Sequence, residues 1–158
     1  MNENDILDVV FYTEDIDRLQ KLIEAGCDVN ARDRMKRTPL MNVTIDKKLE
    51  MAKLLTKAGA DLNLQDSGGW TALHYAAQNN SLEFCMLLLD NKAIVDVKDE
   101  HGNTPLSNAV FNSQGTGEVI RLLLSRGADK NLKNNYDVSP LDLANSIANY
   151  DVAQFLND

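Results

Sequence analysis

Cysteine is scarce in this 158-residue chain: Cys27 and Cys85 are the only two, too few for a disulfide framework. That count points to a reducing compartment, and a cytoplasmic location is expected. No apolar run approaches the roughly 18 residues that a membrane helix needs. The opening Met1-Asn2-Glu3-Asn4-Asp5 is acidic and has neither the basic nor the apolar region of a signal peptide. Basic residues are outnumbered, with 16 Lys+Arg against 24 Asp+Glu for a net charge of -8. This balance speaks against a broad grip on nucleic-acid phosphates and for rapid encounter with a basic partner. Aromatics are few, at 6%, with a single tryptophan, Trp70. Hydrophobic residues nevertheless make up 44%, enough for a real core.

Against this background one phrase is written four times: Thr38-Pro39-Leu40, Thr71-Ala72-Leu73-His74, Thr104-Pro105-Leu106 and Ser139-Pro140-Leu141. The copies are 33, 33 and 35 residues apart. All three prolines of the chain belong to it. A second phrase keeps step: Ala25-Gly26-Cys27-Asp28-Val29-Asn30, Ala58-Gly59-Ala60-Asp61-Leu62-Asn63 and Arg126-Gly127-Ala128-Asp129-Lys130-Asn131. It decays in the middle copy to Asn91-Lys92-Ala93-Ile94-Val95-Asp96.

The hydroxyl residue of the first phrase is placed to cap a helix, and proline fits the first helical position, where its missing N–H costs nothing. A short helix with small alanines follows, as in Leu73-His74-Tyr75-Ala76-Ala77. After a polar turn comes a second apolar helix, such as Leu82-Glu83-Phe84-Cys85-Met86-Leu87-Leu88-Leu89. Gly26, Gly59 and Gly127 then end it in the left-handed conformation that glycine adopts cheaply. A unit this small cannot bury its own apolar face, so neighbours must stack around one continuous core.

These phrases closely resemble the ankyrin repeat family over nearly the whole chain. The resemblance implies an all-α solenoid of stacked helix-turn-helix units with β-hairpin fingers, about five units including two caps. The expected units are 1-32 (N-cap), 33-65, 66-98, 99-133 and 134-158 (C-cap), one domain over 1-158. Lys36 and Asp137 stand where the family usually has the finger glycine seen at Gly69 and Gly102, so a strained or an altered turn is expected at both. Two extra residues fall within Asn112-Ser113-Gln114-Gly115-Thr116-Gly117. They make either a tolerated surface loop or part of a binding face.

The chemistry of catalysis is nearly absent. No H-E-x-x-H, C-x-x-C or G-x-S-x-G occurs, and Gly115-Thr116-Gly117 completes no phosphate-binding pattern. Of two histidines, His74 lies in the repeated phrase, where the family uses it to tie helix to turn; His101 lies on an exposed finger. Cys27 replaces a small buried alanine of the repeat, and Cys85 sits in an apolar helix. No catalytic residue, cofactor or metal is expected.

The resemblance places binding on a concave face built from the fingers and the exposed ends of the first helices. The matching positions are Arg34, Met35, Arg37 and Ile45; then Trp70, Gln78 and Asn79; then His101, Asn103, Phe111 and Asn112; and finally Tyr136. Trp70 is either a binding anchor or a side chain folded over a neighbouring finger, for instance on Arg37. Phe111 either extends the apolar patch or packs beneath the inserted loop. Charge is uneven, with a net of -2 over residues 1–65 and -6 over residues 66–158. The expected partner is a protein, with no nucleic acid and no membrane, and the unbound chain is expected to be a monomer. The chain resembles compact bacterial ankyrin proteins encoded beside toxins, which implies an inhibitor or immunity protein for a basic partner. The rival is a regulatory adaptor for a signalling or metabolic protein.

Overall fold

A computed structural model describes residues 4–147 and 151–157. Each copy of the first phrase opens a seven-residue helix: α3 (Pro39–Ile45), α5 (Ala72–Gln78), α7 (Pro105–Phe111) and α9 (Pro140–Ser146). Second helices follow the first three: α4 (Leu49–Lys57), α6 (Leu82–Asp90) and α8 (Glu118–Ser125). Ahead of them α1 (Asn4–Tyr12) pairs with α2 (Ile16–Glu24), without the phrase. After α9 the chain forms a short 3-10 turn, Ala153–Leu156, which packs on α8 and α9.

The elements stack in two layers. One runs α1, α3, α5, α7, α9; the other runs α2, α4, α6, α8 and the 3-10 turn. A first helix has neighbours on both sides and its own second helix behind, so little of it stays open. Six of the seven residues of α3 and of α7 are buried. Val43, Ala76, Ala109 and Ala144 hold the same register and are at most 2% exposed, small side chains that let the helices approach. In the other layer Leu55, Leu88 and Leu123 repeat in register at 0% exposure. Cys85 stands where Ala52 does and is equally buried, and burial pushes its thiol up to about 12. Cys27 is only half-buried, because the turn that holds it stands at the rim of the core.

Not all four hydroxyls cap alike, although all four have extended backbone. Thr38 Oγ1 accepts from the Met41 amide at 3.3 Å. Ser139 Oγ accepts from the Asp142 amide at 3.1 Å, and the Asp142 carboxylate accepts in return from the Ser139 amide at 2.9 Å. The Ser139 hydroxyl also donates to Asp142 Oδ2 at 2.7 Å, and this bond first, then the one from the Ser139 amide, holds the Asp142 carboxyl below the usual carboxylate range. In α7 the third position is Ser107, and Thr104 Oγ1 is buried with no partner.

No strand occurs among the described residues. At the finger positions the expected β-hairpins are replaced by tight turns, each held from its first residue. Asp66 Oδ1 accepts from the amides of Gly68 and Trp70, both at 2.9 Å. Asp33, Asp99 and Asn134 bind the corresponding amides in their own turns. One backbone bond joins each turn to the next: Ser67 N to Met35 O (2.9 Å), Glu100 N to Gly68 O (3.0 Å) and Asn135 N to His101 O (2.9 Å). A single bond per pair fixes spacing without forming a ladder.

Lys36 and Asp137 adopt φ of 59° and 63°, close to the 80° and 79° of Gly69 and Gly102. The turns are therefore unaltered, and the two side chains carry the strain. At Gly69 a Cβ would lie 2.8 Å from the Glu100 amide nitrogen, so the next turn excludes a side chain there as well.

Candidate functional site

The first helices are enclosed on three sides, so their side chains reach solvent along the fourth, beside the turns. Trp70 ends one turn and leans on the helix that follows, its ring 5.8 Å from that of His74 and 5.0 Å from that of Tyr75. It does not lie over Arg37. That guanidinium instead bonds Asp33 at 2.9 Å and sits 5.8 Å above the Phe11 ring. Tyr75 is fixed in turn by its hydroxyl, which donates to Asp66 Oδ2 at 2.5 Å. Burial, then that bond, raise the phenol well above its ordinary value.

His74 is fully buried and bridges two units. The Thr71 amide donates to its Nδ1 at 3.1 Å, which leaves the proton on Nε2; Nε2 donates to the Asn103 carbonyl at 3.3 Å. Burial lowers its pKa below 6.5. The ring is a brace for the wall on which Trp70 leans, and its neutral form is the one that fits.

Trp70 and Gln78 form a ridge between two clefts. On one side lies a cleft of about 290 Å³ walled by Met35, Asp66 and Tyr75. On the other, a cleft of about 380 Å³ is lined by Asn103, Ser107, Asn108, Phe111, Asn112 and, from the following unit, Asn134, Val138, Ser139 and Leu143. Five of the residues expected at a binding face thus meet around one opening: Trp70, Gln78, Asn103, Phe111 and Asn112. Phe111 is 71% exposed and does not pack beneath the inserted loop.

The other expected residues lie apart from this cleft. Arg34, Met35 and Arg37 border a separate depression with Phe11 and Tyr12. His101 and Tyr136 pair on adjacent turns, their rings 6.2 Å apart. Ile45 is half-buried at the end of α3. Asn79 is engaged in structure: its Nδ2 donates to the carbonyls of Thr44 at 3.0 Å and Ile45 at 3.4 Å, closing the end of α3. The inserted loop is tied down rather than free. Asn80 Nδ2 donates to Thr116 Oγ1 at 2.7 Å, and Gly117 packs against the Phe155 ring.

Sequence reasoning missed Asn108 and Leu143. They occupy one register of the first helix, shared with Asn42 and Tyr75, that the repeated phrase presents as core. The signal was there: polar Asn42 and Asn108 in the middle of short, mostly apolar helices. Among the described residues no group of three His, Cys, Asp or Glu side chains could hold a metal ion, and no helix is long and apolar enough to cross a membrane.

A family model described as ankyrin repeats (3 copies) matches residues 7–99 and 45–134. The chain belongs to the ankyrin repeat family, a protein-protein interaction fold. A comparison with curated proteins finds no match.

Proposed function

We propose that this protein holds a partner protein against the face bearing Trp70 and Phe111, and that it acts as an inhibitor of a basic protein, such as a co-encoded toxin, rather than as an enzyme. One observation carries the reading: Phe111, 71% exposed, stands with Trp70 at a cleft that a single chain leaves open. Large aromatics are enriched among the residues that dominate binding energy. The surrounding half of the chain, residues 66–158, has a net charge of -6. Such a field speeds the encounter with a basic partner and disfavours acidic ones. The binding set on this reading is Trp70, Gln78, Asn103, Phe111 and Asn112, with Met35, His101 and Tyr136 at its margins. The protein works as a monomer in a reducing cytoplasm, where Cys27 and Cys85 remain thiols.

The test is affinity capture from native host lysate at low and high salt, with Phe111→Ala and Trp70→Ala as controls. A single basic protein that is kept at high salt, lost with Phe111→Ala and inhibited in its own activity by the chain supports the proposal. Several proteins shed by salt, none of them inhibited, would replace it with a regulatory adaptor.

A further inference from the structure

A quarter of the residues of this chain are charged, yet among the described residues no charged side chain lines the cleft between Trp70 and Phe111. Its polar wall is made of amides and hydroxyls, and its apolar wall of Trp70, Phe111, Val138 and Leu143. The contrast with the depression at the other end is direct, since Asp8, Arg32, Asp33, Arg34 and Arg37 all border that one. Asn108 lines the neutral cleft and is nine-tenths buried; its Nδ2 is fully buried, has no hydrogen-bond partner, and reaches the cleft only by a turn of the side-chain amide. A buried donor without an acceptor is costly, and an arriving acceptor relieves the cost.

These features select a chemistry. A lysine or arginine entering here would shed water and find no counter-charge, and a carboxylate would fare no better. A peptide group brings a neutral carbonyl acceptor that suits an amide donor. An aliphatic or aromatic side chain gains contact with the Trp70 and Phe111 rings. We infer that the cleft takes an uncharged, extended segment of the partner, which lays an aliphatic or aromatic side chain against Trp70 and Phe111 and offers a main-chain carbonyl to the Asn108 amide as it turns into the cleft. The inference rests on the partner-binding reading above. It divides the work of the face: the acidic surroundings govern the rate of encounter, and the neutral cleft supplies an anchor that salt does not loosen.

Trp70, the only tryptophan, reports on the cleft directly through its fluorescence. The probes are short capped glycine peptides with one guest residue: leucine, phenylalanine, lysine or glutamate. The leucine and phenylalanine peptides should shift Trp70 emission with a Kd in the millimolar range, about fivefold or more tighter than the charged peptides, and equally at low and high salt. Phe111→Ala should weaken them severalfold. Asn108→Leu, which keeps the heavy-atom branching and removes the donor, should weaken them too, with the helical circular dichroism unchanged. Equal or tighter binding of the lysine peptide, a marked salt dependence, or no shift at up to about 20 mM peptide would overturn the inference. If no peptide binds yet Phe111→Ala abolishes partner capture, the uncharged segment is wrong and the face stands. If the peptides bind as described but capture ignores Phe111→Ala, the proposed function falls and the selectivity of the cleft stands.

Discussion

His74 Nε2 donates to the carbonyl of Asn103, 3.3 Å away across the boundary between two units. Nδ1 of the same ring accepts from the Thr71 amide, so a proton added there would face a donor. The brace therefore works only when neutral, and burial keeps it neutral by lowering its pKa.

The pH dependence follows. The unfolded chain takes up a proton near pH 6.5 and the folded one only at lower pH. The contribution is thus complete above about pH 6.5 and is lost as pH falls toward the folded value, at up to about 1.4 kcal/mol per pH unit. Urea denaturation at pH 7.5 and pH 5.5 should show this loss in the native protein and not in His74→Gln. Parallel profiles for the two proteins would contradict it.

Asp96 offers a gain in stability. Asn30 and Asn63 use Oδ1 to accept the next unit's amide, from Asp61 at 2.9 Å and Ile94 at 2.8 Å. The third such contact uses a carboxylate, Asp96 Oδ2 accepting from the Asp129 amide at 2.9 Å, and leaves Oδ1 buried without a partner. Burial raises this carboxyl above the ordinary range, the charge of Asp129 adds to the shift, and the amide bond opposes it. Asp96→Asn should stabilise the fold at pH 7 by a few tenths to about 1 kcal/mol, a figure already reduced for solvent screening. The gain should shrink as pH falls and Asp96 becomes protonated. Thermal denaturation of both proteins at pH 7 and pH 4 checks sign and trend; a destabilised variant would show that the charge is used.

The finger turns give a contrast between equivalent positions. Lys36→Gly relieves left-handed strain of about 1–2 kcal/mol but frees the unfolded chain by up to about 1 kcal/mol, so its effect should lie between neutral and mildly stabilising. Gly69→Ala adds the same strain and a clash with the Glu100 backbone, and should cost about 2 kcal/mol or more. Equal effects at the two positions would mean that the turns do not share one geometry.

What the sequence made legible follows from how each feature is encoded. The caps, the prolines and the glycine stops are local, and repetition marked them at Thr38, Pro39 and Gly59. The finger organisers were also present as a row, Asp33, Asp66, Asp99 and Asn134, each five residues before a cap; the expectation of strands hid their role. The cleft was half legible. Trp70 and Phe111 could be placed on an open face, but whether a ring leans on its neighbours depends on contacts made by Tyr75 and His74 across a turn. Leu143 and Val138 reach the cleft from the next unit, a relationship set by stacking that no single repeat contains. The missing cap at Thr104 is a matter of distance and angle at one hydroxyl, since the same Thr-Pro-Leu phrase is capped at Thr38.

Phe111→Ala tests the central claim more directly than any change at Trp70. Trp70 stacks on His74 and packs at a tilt against Tyr75, so its loss mixes binding with stability. Phe111 is 71% exposed, and replacing it should change stability by no more than about 0.5 kcal/mol. The decisive measurement is a calorimetric titration of the captured partner into the native chain and into Phe111→Ala. The account predicts a loss of about 2 kcal/mol in binding, roughly thirtyfold in Kd, with the melting temperature unchanged. Unchanged affinity would show that the partner does not use this face.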